Sequence, residues 1–277
     1  MTDLCTLTPE GILAGLSTRW AGRGMLLCAQ EMPSTNTVLK ELAKQHAPHG
    51  SVAVCDHQTA GKGRIGRRWE TPPGEALTFS VLLRPKLEPP KAQLCTLAAA
   101  AAMTRAIGEC CPELTPRIKW PNDLVLGQGK CCGILSEMGM AGSRLDYVIT
   151  GVGLNVNQLA FPRELEGKAV SLLGERRKAA PEALPLDRKA LLCSFLTHME
   201  NVMDALETDG FEAFRTEYEA ASATIGRQVQ VLAPAESYTG LALGIDDTGA
   251  LRVRREDGRS ETVLCGDVSV RGLMGYV

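Results

Sequence analysis

The sequence predicts an α+β protein: a mixed β-sheet with flanking helices, followed by a small β-barrel. Three observations lead there. Short β-forming runs bounded by glycine and proline recur between residues 25 and 156, apolar-periodic helical segments interrupt and follow them, and after Gly226 the texture changes to short strands and turns alone. The change of texture puts a boundary near residue 224, with one domain over 1–224 and a second over 225–277. A chain of 277 residues has ample material for one large domain and one small one.

Taken in order, residues 8 to 23 read as a short helix and Met25 to Gln30 (MLLCAQ) as a strand. Pro33-Ser34-Thr35-Asn36 then precedes a helix over Thr37 to Gln45, where Val38, Leu39, Leu42 and Ala43 make one apolar stripe. Ser34 and Thr35 are its N-cap candidates, because their side-chain oxygens can accept from the first helical N–H groups. Ser51 to Gln58 is a strand that runs into Thr59 to Trp69, TAGKGRIGRRW, which packs three glycines and four fixed cations into eleven residues.

Such a loop is built to hold an anion. Glycine lets backbone N–H groups approach a phosphate, while Lys62, Arg64, Arg67 and Arg68 supply charge-assisted donors. Gly61, Gly63 and Gly66 also fit the dinucleotide spacing G-x-G-x-x-G, but that fingerprint must open a helix. Here Thr71-Pro72-Pro73-Gly74 follows, which no helix accommodates, and Ala76 to Arg84 reads as the next strand. The loop therefore joins two strands. A solvated basic turn is the plain alternative.

Lys91 to Gly108 is an alanine-rich helix buried on more than one side, and the stretch RIKWPNDLVLGQGKCCGILSEM, Arg117 to Met138, has the rhythm of a β-meander with turns at Pro-Asn-Asp and Gly-Gln-Gly. Tyr147 to Val156 is a strand whose internal glycines suit a ligand approaching the backbone, or equally a bulge or tight packing site. Residues 158 to 186, with Pro162, Pro181 and Pro185, form a loose connection. Leu186 to Leu206 and Phe211 to Ala221 are amphipathic helices, and turns at Asp246-Asp247-Thr248-Gly249 and Glu256-Asp257-Gly258 punctuate the barrel.

A net charge of -2 argues against broad nucleic-acid binding and confines any cationic function to a local site. The N-terminus has no apolar core of signal-peptide length, and the stretch Leu94 to Met103 is too short to span a bilayer, so a cytoplasmic protein is expected. Ten cysteines are spread along the chain without a C-x-x-C pair, and none of the four histidines stands at ligand spacing to a cysteine pair, which makes a structural metal unexpected. The cysteines read as small buried hydrophobes of a reducing compartment; a nucleophilic cysteine is the sharper alternative, and no sequence context singles one out.

The chemistry concentrates in Arg117 to Met138, where Lys119, Asn122, Asp123 and Lys130 place two cations, an amide and a carboxylate around one short hairpin. A Pro-Asn-Asp turn alone is ordinary. Joined to two lysines and a separate Gly/Arg loop, it points to a reaction between anions.

Here the chain resembles the bacterial biotin protein ligases. The matching segments stand in the family's order: Ser34-Thr35-Asn36, Gln58 with Gly61 to Gly66, Lys119 to Asp123, Lys130-Cys-Cys-Gly133-Ile-Leu, and Gly151-Val-Gly-Leu-Asn155. The resemblance covers nearly the whole chain. It implies a catalytic domain akin to the class II aminoacyl-tRNA synthetases, then an SH3-like barrel. It also implies a two-step reaction: the carboxylate of biotin attacks the α-phosphate of ATP to give biotinyl-5′-AMP and pyrophosphate, and a lysine of a biotin carboxyl carrier protein then attacks the mixed anhydride.

By the same resemblance, Ser34, Thr35, Asn36, Gln58, Lys62, Gly63, Arg64, Lys130 and Gly133 would bind biotin. Arg64, Arg67, Trp69, Lys119, Asn122 and Asn155 would bind the nucleotide, Asp123 would position Mg2+, and Lys130, Arg64 and Lys119 would serve catalysis. Two departures stand out. Lys62 occupies a place where the family commonly has arginine, which keeps the charge and loses the fork geometry, and Cys132 replaces a small residue such as alanine. The helix-turn-helix of some relatives would need roughly 60 more residues before Ser34, so a ligase that binds no DNA and no membrane is expected, with homodimerisation left open. A lipoate-protein ligase, a cysteine-dependent octanoyl transferase and a non-catalytic biotin or adenylate sensor are the rival readings.

Overall fold

Strand formation follows the β-branched runs, and seven of the strands build one sheet. They are β1 (Leu26–Met32), β2 (Val52–Gln58), β3 (Ala76–Leu83), β4 (Arg117–Lys119), β5 (Asp123–Leu126), β6 (Gly129–Ala141) and β7 (Arg144–Asn155), in the spatial order β1-β2-β3-β7-β6-β5-β4. β1 and β2 run parallel and the other neighbours antiparallel, so the sheet is mixed. The computed structural model describes residues 7–232, 236–265 and 269–272, the last four by their backbone alone.

The pleat sends alternate side chains to opposite faces, and both faces are covered. Val52, Val54, Leu77, Phe79, Val81 and Leu83 join the main core with helices α3 (Leu94–Cys110) and α5 (Arg188–Asp209). Ala53, Cys55, Leu82 and Ile149 face the other way, against Leu39 and Ala43 of α2 (Thr35–Lys44). The alanine run of α3 is what lets that helix lie close: Ala98, Ala99, Ala100, Ala101 and Ala102 are all buried.

Two expectations need correction. The helix expected over residues 8 to 23 is only α1 (Pro9–Gly15); beyond it the chain is held by Glu200 of α5, whose carboxylate accepts N–H bonds from Arg19, Trp20 and Ala21 at 2.7 to 3.0 Å. The loose connection of residues 158 to 186 contains α4 (Leu172–Ala179), capped by Ser171 Oγ accepting from Gly174 N at 2.9 Å. Helix α6 (Glu212–Ala220) then leads to a second, antiparallel sheet of β8 (Gln228–Leu232), β9 (Tyr238–Ile245), β10 (Leu251–Arg255), β11 (Ser260–Val263) and β12 (Ser269–Gly272), in the order β11-β10-β9-β8-β12.

The second sheet shares the main core through Val229, Ala242, Leu251 and Val253. It also grips the first unit at two polar points: Trp120 Nε1 donates to Gly249 O at 3.1 Å, and Gln93 Nε2 donates to Thr248 O at 2.7 Å. Among the described residues, no helix is long and apolar enough to cross a membrane.

Candidate active site

The glycine-rich segment after β2 folds back as a tight hairpin. Gly63 N donates to Arg67 O at 2.8 Å, Arg67 N to Arg64 O at 3.2 Å and Trp69 N to Gly61 O at 3.1 Å. Its turn residues, Ile65 and Gly66, have φ of 55° and 69°, the left-handed pair that a type I′ turn requires. The loop thus joins two strands, as its prolines predict, and carries its cations to the mouth of a cleft.

That cleft, about 450 Å³ including open solvent, lies between the hairpin, the start of α2, and strands β6 and β7. Ser34, Thr35, Asn36, Gln58, Lys62, Gly63, Arg64, Lys130 and Gly133 all line it, together with Trp69 and Asn122. All nine residues expected to bind biotin therefore meet at one place. Five further lining residues, Ile134, Leu135, Gly151, Val152 and Gly153, are not among the site residues expected from the sequence, although the glycines of the β7 run signalled close approach.

Glycines in β7 make room for side chains that form the cleft. A Cβ on Gly151 would stand 2.1 Å from Asn36 Oδ1, and one on Gly153 would stand 2.3 Å from Trp69 Cε2. Trp69 Nε1 is buried without a hydrogen-bond partner among the described residues. Lys130 Nζ lies 5.6 Å from the Trp69 ring centroid and 2.6 Å from Asp123 Oδ1. Arg64 donates from Nη1 to Asn122 Oδ1 at 2.8 Å, and Asn122 is itself held by donating to Ile134 O at 3.0 Å.

The inner wall is a polar network with defined directions. Thr35 donates from N (2.9 Å) and from Oγ1 (3.3 Å) to Gln58 Oε1, leaving the Gln58 amide nitrogen without an acceptor among the described residues. Asn36 Nδ2 donates to Leu135 O at 3.1 Å and Glu137 Oε2 at 2.9 Å, so only its oxygen retains capacity. Ser34 sits at the N-cap position of α2 yet makes no side-chain cap, so its hydroxyl remains for the cleft that it lines.

Other candidates stand outside the cleft. Lys119 is buried and faces Asp123 across the β4–β5 turn. Arg67 lines a larger adjoining groove, of about 2100 Å³ including open solvent, which shares Lys62, Gly63 and Arg64 with the cleft. Asn155 is buried, and its amide donates to Val170 O at 3.1 Å and Lys130 O at 3.4 Å while accepting from Gln158 at 3.2 Å. Asn155 thus fixes the strand that bears Lys130.

No group of three or more His, Cys, Asp or Glu side chains able to hold a metal occurs among the described residues. The nine described cysteines are free; Cys5 lies outside the described residues. Burial raises every one of these thiols, to about 11 at Cys28 and Cys111 and to about 12 at Cys95, Cys131 and Cys265. None is an activated nucleophile.

Residues 28–155 match the biotin/lipoate A/B protein ligase family, and residues 224–271 match the biotin protein ligase C terminal domain. The chain is 33% identical over 284 residues to the biotin--[acetyl-CoA-carboxylase] ligase of Mycobacterium tuberculosis, covering 97% of this chain and 98% of that protein. The chain belongs to the biotin protein ligase family. It is also 35% identical over 254 residues to the bifunctional ligase/repressor BirA of Bacillus subtilis, covering 91% of this chain and 76% of that one. The biotin protein ligase of Aquifex aeolicus, solved in complex with biotin and ATP, superposes with a TM-score of 0.75 at 28% identity, covering 90% of this chain and 99% of that one. Membership accounts for cations gathered beside a small polar-ended cleft, but the direction of each hydrogen bond is this chain's own geometry.

Proposed function

We propose that this chain is an ATP-dependent ligase that activates biotin as biotinyl-5′-AMP and transfers the biotinyl group to a lysine of a biotin carboxyl carrier protein. The observation that carries this reading is the paired polarity of the inner wall. Gln58 offers N–H donors and Asn36 offers an acceptor oxygen. A ureido ring needs that pair, since its carbonyl accepts and its N–H groups donate. The dithiolane of lipoate has neither, which favours biotin by the cost of leaving both amides unmatched. The Trp69 indole N–H is a further buried donor, with no acceptor among the described residues.

With the ring bound there, the valeryl carboxylate extends towards Lys130 and Arg64. Carboxylate and α-phosphate repel by roughly 4 kcal/mol per pair of unit charges at about 4 Å in a protein-surface medium, so cations between them lower the barrier directly. Lys130 neutralises the carboxylate and the charge growing on phosphorus, once released from Asp123. Arg64 closes over the adenylate, with Asn122 setting its fork, and Trp69 and Arg67 complete the nucleotide side. We assign Lys119 to long-range charge support and Asn155 to holding Lys130. Pyrophosphate leaves; in the second step the carrier amine attacks the acyl carbon and AMP departs.

Mg2+ would enter with the ATP phosphates and supply charge neutralisation of the triphosphate, and Asp123, 2.6 Å from Lys130 Nζ, is the carboxylate we assign to positioning it. The free thiols suit a reducing cytoplasm. We assign residues 1–224 to the catalytic domain, of the class II synthetase-like type, and 225–277 to an SH3-like barrel, supported by the domain match at 224–271. The raised thiols disfavour the octanoyl transferase, and the gathered cations disfavour a mere sensor. The test is intact-mass analysis of a biotin carboxyl carrier domain after incubation with the protein, biotin and MgATP. One biotinyl adduct on a single lysine is expected; an unmodified carrier would refute the transfer step.

A further inference from the structure

Asn36 reads its ligand correctly only if its amide stays one way round. Oxygen and nitrogen of a carboxamide have nearly the same shape, so packing alone does not choose between them. Ser80, fully buried, does not choose either: its hydroxyl lies 2.6 Å from Asn36 Oδ1 and 2.7 Å from Thr35 Oγ1, and a hydroxyl can donate or accept.

Glu137 does choose. It lies on β6 outside the cleft lining, with its side chain on the larger groove. Its Oε2 accepts from Asn36 Nδ2 at 2.9 Å, and its Oε1 lies 3.6 Å from Lys40 Nζ. An ionised carboxylate only accepts, so it tolerates the Asn36 NH2 and repels the Asn36 oxygen. Leu135 O, at 3.1 Å from the same nitrogen, adds a second obligate acceptor.

We propose that Glu137 is a specificity-determining positioning residue: from behind the cleft it locks Asn36 with its oxygen towards the ligand, so that the site selects an acid bearing a cyclic N–H donor. The inference rests on the biotin ligase reading and adds a residue outside the lining of the biotin cleft. Lys40 Nζ, 3.6 Å from Oε1, helps hold the carboxylate aimed at Asn36. In Glu137→Met the lock is reduced to Leu135 O, the amide samples both orientations, and the flipped form presents a donor to a donor.

The test is steady-state pyrophosphate release, with biotin and MgATP varied separately and lipoate as the competing acid. In Glu137→Met the KM for biotin should rise roughly tenfold, with kcat and the KM for ATP within about twofold of the unsubstituted protein. The preference for biotin over lipoate should fall by a similar factor. Glu137→Gln keeps the shape but replaces the accept-only carboxylate with a carboxamide that can donate as well as accept, so it should raise the biotin KM by a factor similar to that of Glu137→Met. An unchanged biotin KM in Glu137→Met would overturn the proposal, as would a parallel rise in the KM for ATP, which marks general damage to the site. Failure of the unsubstituted protein to release pyrophosphate with biotin would instead overturn the ligase reading itself.

Discussion

Gly153→Ala adds one methyl group at the back of the cleft, and its consequence can be worked out from the contacts. The new Cβ would stand 2.3 Å from Trp69 Cε2 and 2.5 Å from Nε1, whereas carbon atoms rest about 3.5–4.0 Å apart. The indole must therefore retreat by more than about 1 Å. Trp69 N is tied to Gly61 O at 3.1 Å and a Cβ on Gly61 would already lie 2.1 Å from Trp69 O, so the ring must either leave its rotamer or drag the tied hairpin with it. Overpacking of this kind costs about 1–3 kcal/mol, which lowers Tm by roughly 2–4 °C per kcal/mol in a chain of this size class. The larger effect falls on binding, since the Lys130 contact with the ring face and the position of Arg64 both depend on that hairpin. A rise of roughly tenfold or more in the KM for biotin is expected, from the loss of about one positioned contact, together with a change in tryptophan emission. Biotin titration of pyrophosphate release, with thermal unfolding on the same sample, measures both. An unchanged KM with unchanged emission would show that Trp69 is not a wall of the substrate cleft.

Lys130→Ala should slow adenylate formation by about a hundred- to a thousandfold, the loss of one half-buried cation between two anions, as read by single-turnover pyrophosphate release. Undiminished formation would remove Lys130 from the first step. Arg64→Gly should still form some biotinyl-5′-AMP but release it, so that amines other than the carrier lysine become biotinylated; tight retention of the adenylate would refute its closing role. Burial pushes the Glu200 carboxyl up, but the N–H bonds from Arg19, Trp20 and Ala21 and the Arg19 charge outweigh it, leaving the group below its ordinary 4.5. A depressed folded-state pKa gives stability that is complete above the unfolded value and lost as pH falls through the folded one. Glu200→Gln should therefore cost about 1–3 kcal/mol at neutral pH, and the difference in Tm from the unsubstituted chain should shrink as pH falls below about 4.5. A gap that persists in acid would contradict the linkage.

Much of this fold is legible because its signals are local. The β-runs around Val54, Leu77 and Ile149 are near-continuous apolar and β-branched stretches, the turn at Pro121-Asn122 is written in its residues, and the prolines after Trp69 rule out a dinucleotide helix. Legibility fails where a distant partner decides. Residues 16 to 23 carry a helical-looking composition, but Glu200, some 180 positions away, takes their N–H groups. Helix α4 was legible in principle from Ser171 and the basic last turn Arg176-Arg177-Lys178, yet the prolines on either side masked it. In the site, residue types placed Ser34, Gln58 and Lys130 together through resemblance, not spacing. What no residue type discloses is direction: that Asn36 presents oxygen and Gln58 nitrogen depends on Leu135, Glu137 and Thr35, brought close only by strand order. Asn155 shows the converse, a polar residue in a ligand-like motif whose amide is consumed by Val170 and Lys130.

The central claim is that this cleft activates biotin with ATP. Its most direct test is pyrophosphate release by the purified protein from MgATP, with biotin, lipoate or octanoate as the sole acid and no carrier present. Release with biotin, and at most trace release with the other two, is the expected result. Equal or greater release with lipoate would contradict the assigned polarity of Asn36 and Gln58, and silence with all three acids would contradict the ligase chemistry.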